Sequence, residues 1–261
     1  AQLIFGSATP SLVSYQKTQA GAYSLSNLTE KKKIPHPLYT VNMRNEFRNK
    51  NYSCISYQLE KALQEVIDSG TQKAILFVPR RGYASFSLCQ DCAYMEKCER
   101  CHTHLVYHAS PRRILQCHSC DFIKDVPLTC PQCQGVRIKI FGVGTQMVRD
   151  EIEKILGYTD TVILDTDSAK TTSAQQAILE TFLSGEKRIL IGTHLMLQQE
   201  QLPKVALLGI ISLDHLLYLP IYTIREQMYQ LMHNLFAYTT PKTLCIFQTY
   251  ALTDESLPYI I

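Results

Sequence analysis

Short apolar runs alternate along most of the chain with segments in which apolar residues recur every three or four positions. The apolar runs lie at 74–78, 138–141, 161–164, 188–191, 206–213 and 243–248. Runs without polar alternation are typical of strands that are buried on both faces of a parallel sheet. The segments between them, such as 174–183 and 224–236, have helical spacing. The pattern predicts an α/β fold whose parallel sheet is covered by helices on both faces.

The helix before the first full strand has recognisable ends. Ser56 is a favoured N-cap residue, and Gly70 follows the last apolar position, where left-handed backbone often ends a helix. Its apolar residues all fall on one helical face: Leu59, Ala62, Leu63, Val66 and Ile67. A later helix is expected after the turn at 142–145 and should end at Gly157.

The first 55 residues follow this alternation poorly. Residues 3–5 predict a short strand that leads into a polar loop, and residues 25–50 are rich in Lys, Arg and Asn and predict irregular structure. The chain opens on Ala1 within an apolar run, so we expect it to be a piece of a longer fold.

Composition excludes several classes of protein. The chain has 26 basic and 23 acidic residues, so bulk charge indicates no nucleic-acid or membrane partner. No apolar run approaches the roughly 20 residues of a membrane span, and no secretory leader is recognisable. We therefore expect a cytoplasmic protein without membrane contact.

Cysteine provides the strongest chemical signal in the sequence. Eight of the ten cysteines form four Cys-x-x-Cys pairs: Cys89/Cys92, Cys98/Cys101, Cys117/Cys120 and Cys130/Cys133. Cys54 and Cys245 stand alone in core-like patterns. Four thiolates bind Zn²⁺ in a closed tetrahedral site, so the segment 89–133, called the zinc module below, predicts two structural zinc ions.

Loop lengths indicate which pairs share a zinc ion. Fifteen residues separate Cys101 from Cys117, which fits the usual spacing between two halves of one site. Only five residues separate Cys92 from Cys98, too few for a comfortable hairpin. We therefore predict nested sites, in which the second and third pairs form a tip site and the first and fourth pairs form a base site.

Other interpretations of the cysteines are weaker. A redox dithiol normally uses one Cys-x-x-Cys pair and needs an exposed, low-pKa thiol, and thiolates could also hold iron–sulfur clusters. Four histidines in the module are expected to lie outside the sites: His102, His104, His108 and His118. The segment 89–139 has seven basic and five acidic residues, and eight thiolates with two Zn²⁺ make the loaded module slightly negative. A module that binds nucleic-acid phosphates should have a clearly positive net charge.

Several motifs in this order resemble bacterial replication-restart helicases of the PriA (primosomal protein N′) family. They are GSATPS at 6–11, RRGYA at 80–84 directly before the cysteines, GVGTQ at 142–146, ILIGTH at 189–194 and IFQTY at 246–250. The resemblance covers essentially the whole chain. It implies a RecA-like helicase lobe with an inserted double-zinc module, and the family pairs its cysteines in the same nested way.

The resemblance also implies domain boundaries and partners. The expected parts are the end of a first helicase lobe (1–24), an irregular connector (25–55), the second RecA-like lobe (56–88 and 134–250) with the zinc insertion (89–133), and the start of a C-terminal region (251–261). The implied partners are branched or single-stranded DNA, primosome proteins and single-strand-binding proteins in the bacterial nucleoid. ATP and Mg²⁺ are implied only for the intact family protein, because no G-x-x-x-x-G-K-[ST] motif occurs here.

By resemblance, eight residues couple nucleotide state to DNA contacts: Ser7, Thr9, Arg80, Arg81, Gly144, Thr145, Gly192 and Thr193. Taken without the resemblance, the Gly-rich turn at 142–145 is expected to be an ordinary tight turn. Asp165, Asp167 and Asp214 follow predicted strands and are expected to form turns or helix caps.

Two segments depart from the family pattern. The family's MxxKGHDFP loop is replaced by MLQQEQLP at 196–203, and its QLLTQVAGRAGR helix by QLMHNLFAYTTP at 230–241. Tyr238 and Pro241 stand where the family has arginines that reach the ATP phosphates, a contribution worth about 10³–10⁵ in rate. We expect either part of a replication-restart DNA helicase or a non-catalytic zinc scaffold that docks on DNA or primosome proteins.

Overall fold

The computed structural model describes residues 3–27, 38–79, 86–92, 94–108, 112–212, 214–217, 221–250 and 252. The α-helices are α1 (Leu12–Gln19), α2 (Met43–Arg48), α3 (Tyr57–Asp68), α4 (Thr145–Leu156), α5 (Thr172–Ser184), α6 (Asp214–Leu217) and α7 (Ile224–Leu235). Two 3₁₀ helices span His194–Gln198 and Phe236–Tyr238. None of the helices in these ranges is both long and apolar enough to cross a membrane.

The strands form three sheets. They are β1 (Leu38–Asn42), β2 (Ala74–Phe77), β3 (Phe86–Cys89), β4 (Val106–His108), β5 (Ile114–Gln116), β6 (Ile123–Asp125), β7 (Ile138–Phe141), β8 (Thr161–Leu164), β9 (Ile189–Gly192), β10 (Leu207–Ile211) and β11 (Leu244–Thr249). Six of them form one sheet in the order β1-β11-β10-β2-β9-β8, and every pair in it is parallel. The predicted parallel α/β sheet is confirmed.

Helices cover both faces of this sheet, because successive strand residues point to opposite sides. In β2, Ala74 and Leu76 belong to a buried cluster with residues of α2, α3 and α4. Ile75 and Phe77 belong to a second cluster with residues of α5 and α7. The strands are therefore buried on both sides, which explains why they are apolar throughout.

Helix α3 packs closely against the central strand β10. A Cβ atom added to Gly209 would lie against the Leu76 side chain and 3.2 Å from Leu59 Cδ1. Glycine at this position therefore leaves the space that Leu59 and Leu76 fill. Beside the strand, Gln248 of β11 accepts a hydrogen bond from the Ser56 N–H at 2.8 Å and holds the start of α3.

Basic side chains bind the carbonyl groups at the helix ends along the amino edge of the sheet. Lys73 donates to the Leu183 carbonyl at 2.7 Å, and Arg188 donates to the Ile67 carbonyl at 2.6 Å. Arg188 also pairs with Asp160 at 2.8 Å. These cations satisfy backbone acceptors that a helix C-terminus leaves open, so they have a structural role in the lobe.

Three expectations from the sequence are wrong. Residues 3–5 do not form a strand but are exposed, because no described strand supplies ladder hydrogen bonds to them. The predicted irregular segment contains β1, an edge strand paired with β11, followed by α2. β1 was missed because an edge strand with a half-exposed face has polar residues. Strand β7 exists as predicted but pairs antiparallel with β3, outside the parallel sheet.

Candidate metal centres

The four Cys-x-x-Cys segments adopt the same local turn. In each, the N–H of the first cysteine donates to the carbonyl five residues later: Cys89 to Tyr94, Cys98 to Thr103, Cys117 to Phe122 and Cys130 to Gly135, at 2.7–2.9 Å. Where the residue after the second cysteine is described, it has left-handed backbone: His102 (φ 58°), Asp121 (φ 55°) and Gln134 (φ 60°). This reversal places both sulfurs of a turn on one side. None of these three residues is glycine, so the sequence does not indicate the left-handed backbone.

The turns meet in two groups of four cysteines. The base site contains Cys89, Cys92, Cys130 and Cys133, and the tip site contains Cys98, Cys101, Cys117 and Cys120. Within each group the sulfur atoms all lie within 4.8 Å of one another. This grouping is the nested one that the loop lengths predict.

Sulfur–sulfur distances suit a tetrahedral metal ion. At the base, Cys89 and Cys133 are 3.6 Å apart, as are Cys92 and Cys130. At the tip the distances are 3.5 Å for Cys98–Cys120 and 3.3 Å for Cys101–Cys117. A disulfide needs about 2.05 Å, whereas Zn–S bonds of about 2.3 Å separate tetrahedral sulfurs by about 3.8 Å. All eight thiols are free, and the donor sets fit Zn²⁺.

The thiols of the tip site differ in acidity. Burial acts to raise the pKa of Cys117, but hydrogen bonds from the Thr103 hydroxyl and the Ser119 N–H outweigh it and lower the pKa to about 6. The N–H of Phe122 acts to lower the pKa of Cys120, yet burial and the adjacent thiols raise it to about 12. Four sulfurs this close cannot all ionise by themselves, because like charges repel. A divalent cation would supply the compensating charge.

The base site is attached to the main core. Cys89 is the last residue of β3 and is paired with Ile138 of β7. Leu88 and Met95, on either side of the first turn, are buried in the same cluster as α3 and α4. The base cysteines therefore lie where the zinc module joins the parallel lobe.

Asp91 and Gly135 pack closely together beside Cys89, the first cysteine of the base site. Asp91 forms an ion pair with Arg137, and its carboxylate occupies the space into which a side chain at Gly135 would extend. The Asp91 N–H also donates to the Cys89 sulfur at 3.4 Å. Gly135 thus allows the first and fourth turns to approach each other.

The tip site has a very small core of its own. Strands β4, β5 and β6 form an antiparallel sheet, and the core cluster beside it has four buried members: Cys98, Leu105, Leu115 and Cys117. Two of these four belong to the tip group of cysteines. Lys124 of β6 pairs with the buried Glu96 at 3.1 Å, which ties this sheet to the segment between the two sites.

The two remaining cysteines are structural. Cys54 and Cys245 are buried in the two main clusters, and burial raises the pKa of each thiol to about 12. Buried, protonated thiols are poor nucleophiles. Their predicted place in the core is confirmed.

The residues assigned by resemblance to nucleotide and DNA coupling lie in two places. Ser7 and Thr9 are near the surface, and the Thr9 carbonyl accepts a hydrogen bond from Gln230 of α7 at 3.1 Å. The N–H of Leu12 donates to Glu226, also in α7, at 3.1 Å. Arg80 and Arg81 lie outside the described residues.

The other four coupling residues lie around the carboxyl ends of β8 and β9. Gly144 precedes α4, Gly192 ends β9, and the Thr193 N–H donates to the Leu164 carbonyl. The buried Thr145 hydroxyl donates to Asp165 at 2.5 Å. These residues form a continuous set at this edge of the sheet, apart from Ser7 and Thr9.

Asp165 forms the turn that its position predicted. Its carboxylate accepts the N–H groups of Asp167 and Ser168 at 3.0 and 2.8 Å. Burial acts to raise the Asp165 pKa, but these bonds and those from the Thr145 and Ser168 hydroxyls lower it below its ordinary value. Asp214 similarly accepts from Ser212 and Thr249.

Tyr238, at the position of a family arginine, is packed inside the lobe. It is 8% exposed and belongs to the cluster beneath α7, and its hydroxyl donates to the Met196 carbonyl at 2.9 Å. Burial raises its pKa. Tyr238 therefore holds together two chain segments, and its side chain is not presented to solvent. Pro241 is exposed.

These features define a class of protein: a parallel α/β lobe that contains an inserted module with two groups of four cysteines. The chain is 37% identical over 232 residues to replication restart protein PriA of Bacillus subtilis. This alignment covers 88% of this chain and 29% of that protein. It is 32% identical over 238 residues to PriA of a Synechocystis species, covering 87% and 28%. PriA of Chlamydia pneumoniae is also 32% identical over 238 residues, covering 89% and 31%.

The chain is thus related to replication restart protein PriA and corresponds to a C-terminal part of it. It spans about three tenths of the length of these relatives. No protein-family model matches it. Among solved structures, the C-terminal domain of the DEAD-box protein Dbp5 is similar with a TM-score of 0.37 and 11% identity, covering 80% of this chain and 77% of that chain. A TM-score of 0.37 is too low to assign a role to this chain.

Proposed function

We propose that the chain is the zinc-binding lobe of a replication-restart DNA helicase, and that it binds two structural Zn²⁺ ions. The observation that supports this most directly is the pair of nested Cys₄ groups inserted between β2 and α4 of a parallel lobe. The relatedness to PriA over 88% of the chain supports the same conclusion. In the longer protein, the lobe contributes to binding branched or single-stranded DNA and to assembling the primosome with single-strand-binding protein.

The proposed zinc ions have a structural role. Four thiolates complete a tetrahedral site and leave no position for water or substrate. The core cluster of the tip has two buried members besides its cysteines, so the metal would replace a core that the segment is too small to form. The zinc ions would present the module as a rigid surface for DNA or primosome proteins.

The proposed link to nucleotide rests on the loop that contains Ser7 and Thr9. The Thr9 carbonyl of this loop bonds Gln230, and Leu12, which begins α1 after the loop, bonds Glu226. Both partners lie in α7, so movement of the loop would be transmitted to that helix. Gly144, Thr145, Gly192 and Thr193 lie at the carboxyl edge of the sheet, where ligands bind in α/β folds. ATP and Mg²⁺ would be bound by the longer protein, with this edge facing the nucleotide-binding lobe.

Tyr238 supports a second candidate, a zinc scaffold without motor activity. The position expected for a catalytic arginine contains a buried tyrosine whose hydroxyl donates a hydrogen bond to the Met196 carbonyl. A phenol cannot provide the charge that a guanidinium gives a transferring phosphoryl group. In this candidate the lobe keeps its zinc module and its DNA or primosome contacts, and hydrolyses no ATP.

Two measurements test the proposal. Metal analysis of the purified chain should give two zinc ions, and one or none would contradict the nested sites. Fluorescence anisotropy should show tighter binding to forked DNA than to blunt duplex of equal length. A Cys98→Ser/Cys101→Ser variant should lose that preference, whereas a His102→Asn control, which tolerates the left-handed backbone there, should keep it. Equal affinity for both DNAs would contradict a fork-binding role.

ATP hydrolysis separates the two candidates. Hydrolysis stimulated by forked DNA, measured on a protein that contains this lobe, would favour the helicase and exclude the scaffold. Fork binding without hydrolysis would favour the scaffold. The protein used for the hydrolysis assay should also contain two zinc ions per chain, because this zinc content shows that the lobe is folded.

A further inference from the structure

Two histidines of the zinc module face each other outside both cysteine sites. The Nε2 atoms of His108 and His118 are 3.1 Å apart, and the ring centroids are 5.2 Å apart with the planes inclined by 34°. His108 is the last residue of β4, and His118 lies inside the third turn, between Cys117 and Cys120. The pair has no role in the four-thiolate sites, which are complete without it.

The separation of the two nitrogens suits a shared metal ion. Zn–N bonds of about 2.0–2.1 Å place two nitrogens about 3.3 Å apart in tetrahedral geometry and about 2.9 Å apart at adjacent octahedral positions. The observed 3.1 Å lies between these values. Imidazole is a good ligand for Zn²⁺, Ni²⁺ and Cu²⁺, so the donor type and the spacing agree.

The backbone holds both histidines in place. His118 lies in a turn closed by hydrogen bonds from the Cys117 N–H to Phe122 and from the Asp121 N–H to Cys117. His108 lies opposite Ile114 in the β4–β5 ladder. Neither residue must move its backbone to bring the nitrogens together. The entropy cost of ordering the site when a ligand binds is therefore small.

We propose that His108 and His118 form a third metal site, which binds one divalent transition-metal ion through two imidazole nitrogens. His118 is exposed and His108 is half-buried, so the remaining coordination positions are open to water. The site is therefore exchangeable, unlike the closed Cys₄ sites, and a metal bound there can accept a further ligand from solution. Its metal is held more weakly than the structural zinc ions, because two protein ligands replace four.

The test uses Ni²⁺ as the probe on the untagged, zinc-loaded chain. Isothermal titration should show one Ni²⁺ bound per chain, with the zinc content unchanged at two. His108→Ala should lose this Ni²⁺, because a single imidazole remains. The matched control is His102→Asn, which removes another imidazole of the same module, tolerates the left-handed backbone of this position and should leave Ni²⁺ binding intact.

Retention on an immobilised Ni²⁺ column provides a second readout, in which His108→Ala should elute earlier than the wild type and His102→Asn should not. If Ni²⁺ fails to bind the zinc-loaded wild type, or if binding survives His108→Ala, the proposal is wrong and the two imidazoles share only a hydrogen bond. His118→Gln provides an independent check, since loss of Ni²⁺ binding with two zinc ions retained separates the third site from the fold of the tip.

Discussion

The hydroxyl of Tyr238 donates a hydrogen bond to the carbonyl oxygen of Met196, with 2.9 Å between the two oxygens. Met196 begins the first segment that departs from the PriA pattern, and Tyr238 lies in the second. The two departures therefore meet in space, although 42 residues separate the two partners. Where the resemblance would place a charged, accessible arginine, the lobe has a packing contact between two 3₁₀ helices.

Substitution of Tyr238 should reveal this packing role. Tyr238→Phe should lower the free energy of unfolding by about 1 kcal/mol, because it removes one hydrogen bond, while the Met196 carbonyl keeps the one from the Gln199 N–H. Tyr238→Arg should cost about 3 kcal/mol or more, because it buries an unpaired charge. Urea denaturation of the zinc-loaded chain measures both. An arginine variant as stable as the wild type would show that the position is not enclosed.

The nested sites predict a hierarchy between two cysteine variants. Cys98→Ser should lower the zinc content to one and increase hydrogen exchange in β4–β6 only. Cys130→Ser should also lower it to one, and it should additionally increase exchange in β3 and β7, because Cys89 of the same site ends β3. Equal exchange patterns in the two variants would argue against a base site that secures the junction.

Asp165 should make a pH-dependent contribution to stability. Its pKa in the folded chain is below the ordinary value of 3.8, so the contribution is complete above that value and is lost as the pH falls through the folded pKa. Asp165→Asn should lower the free energy of unfolding by about 1–2 kcal/mol at pH 7, and the difference from wild type should shrink below pH 3.8.

Asp167→Asn is the matched control for Asp165, because Asp167 is exposed and lies two positions later in the same turn. It should have little effect at either pH. A constant difference between Asp165→Asn and wild type from pH 7 to pH 3 would show that the carboxylate charge is not what stabilises the turn.

The contact between Asp91 and Gly135 can be tested with a double-mutant cycle. Gly135→Ala should destabilise the base site by about 1–3 kcal/mol, because the added methyl group displaces the Asp91 carboxylate and its ion pair with Arg137. Asp91→Ala should remove the clash, so that Gly135→Ala costs little in that background. Zinc retention against a chelator measures the effect, and additive losses would contradict the contact.

Much of the lobe could be predicted because its signals are local. Strands such as β2 and β9 are buried on both faces, which makes them apolar throughout and easy to recognise. Edge strand β1 has one exposed face and was missed for that reason. The strand at 138–141 was recognised, but an apolar run does not specify its partner, and β7 pairs with β3 instead of joining the parallel sheet.

The metal sites show the same division. Loop lengths determine the nested grouping of cysteines, since five residues are too few and fifteen are enough to bring two turns to one ion. The left-handed residues that close the turns are His102, Asp121 and Gln134. None of them is glycine, so the backbone conformation has no sequence signal. The tertiary structure also decides that His108 and His118 meet.

The sequence alone determined the periodicity of the helices and central strands, the four Cys-x-x-Cys pairs and their grouping, because these depend on neighbours a few residues apart or on loop length. Only the tertiary structure decided which sheet β7 joins, how Gly135 accommodates Asp91, and that Tyr238 binds Met196. Such contacts join distant parts of the chain, and their energies come from burial and hydrogen bonds that exist only after the chain has folded.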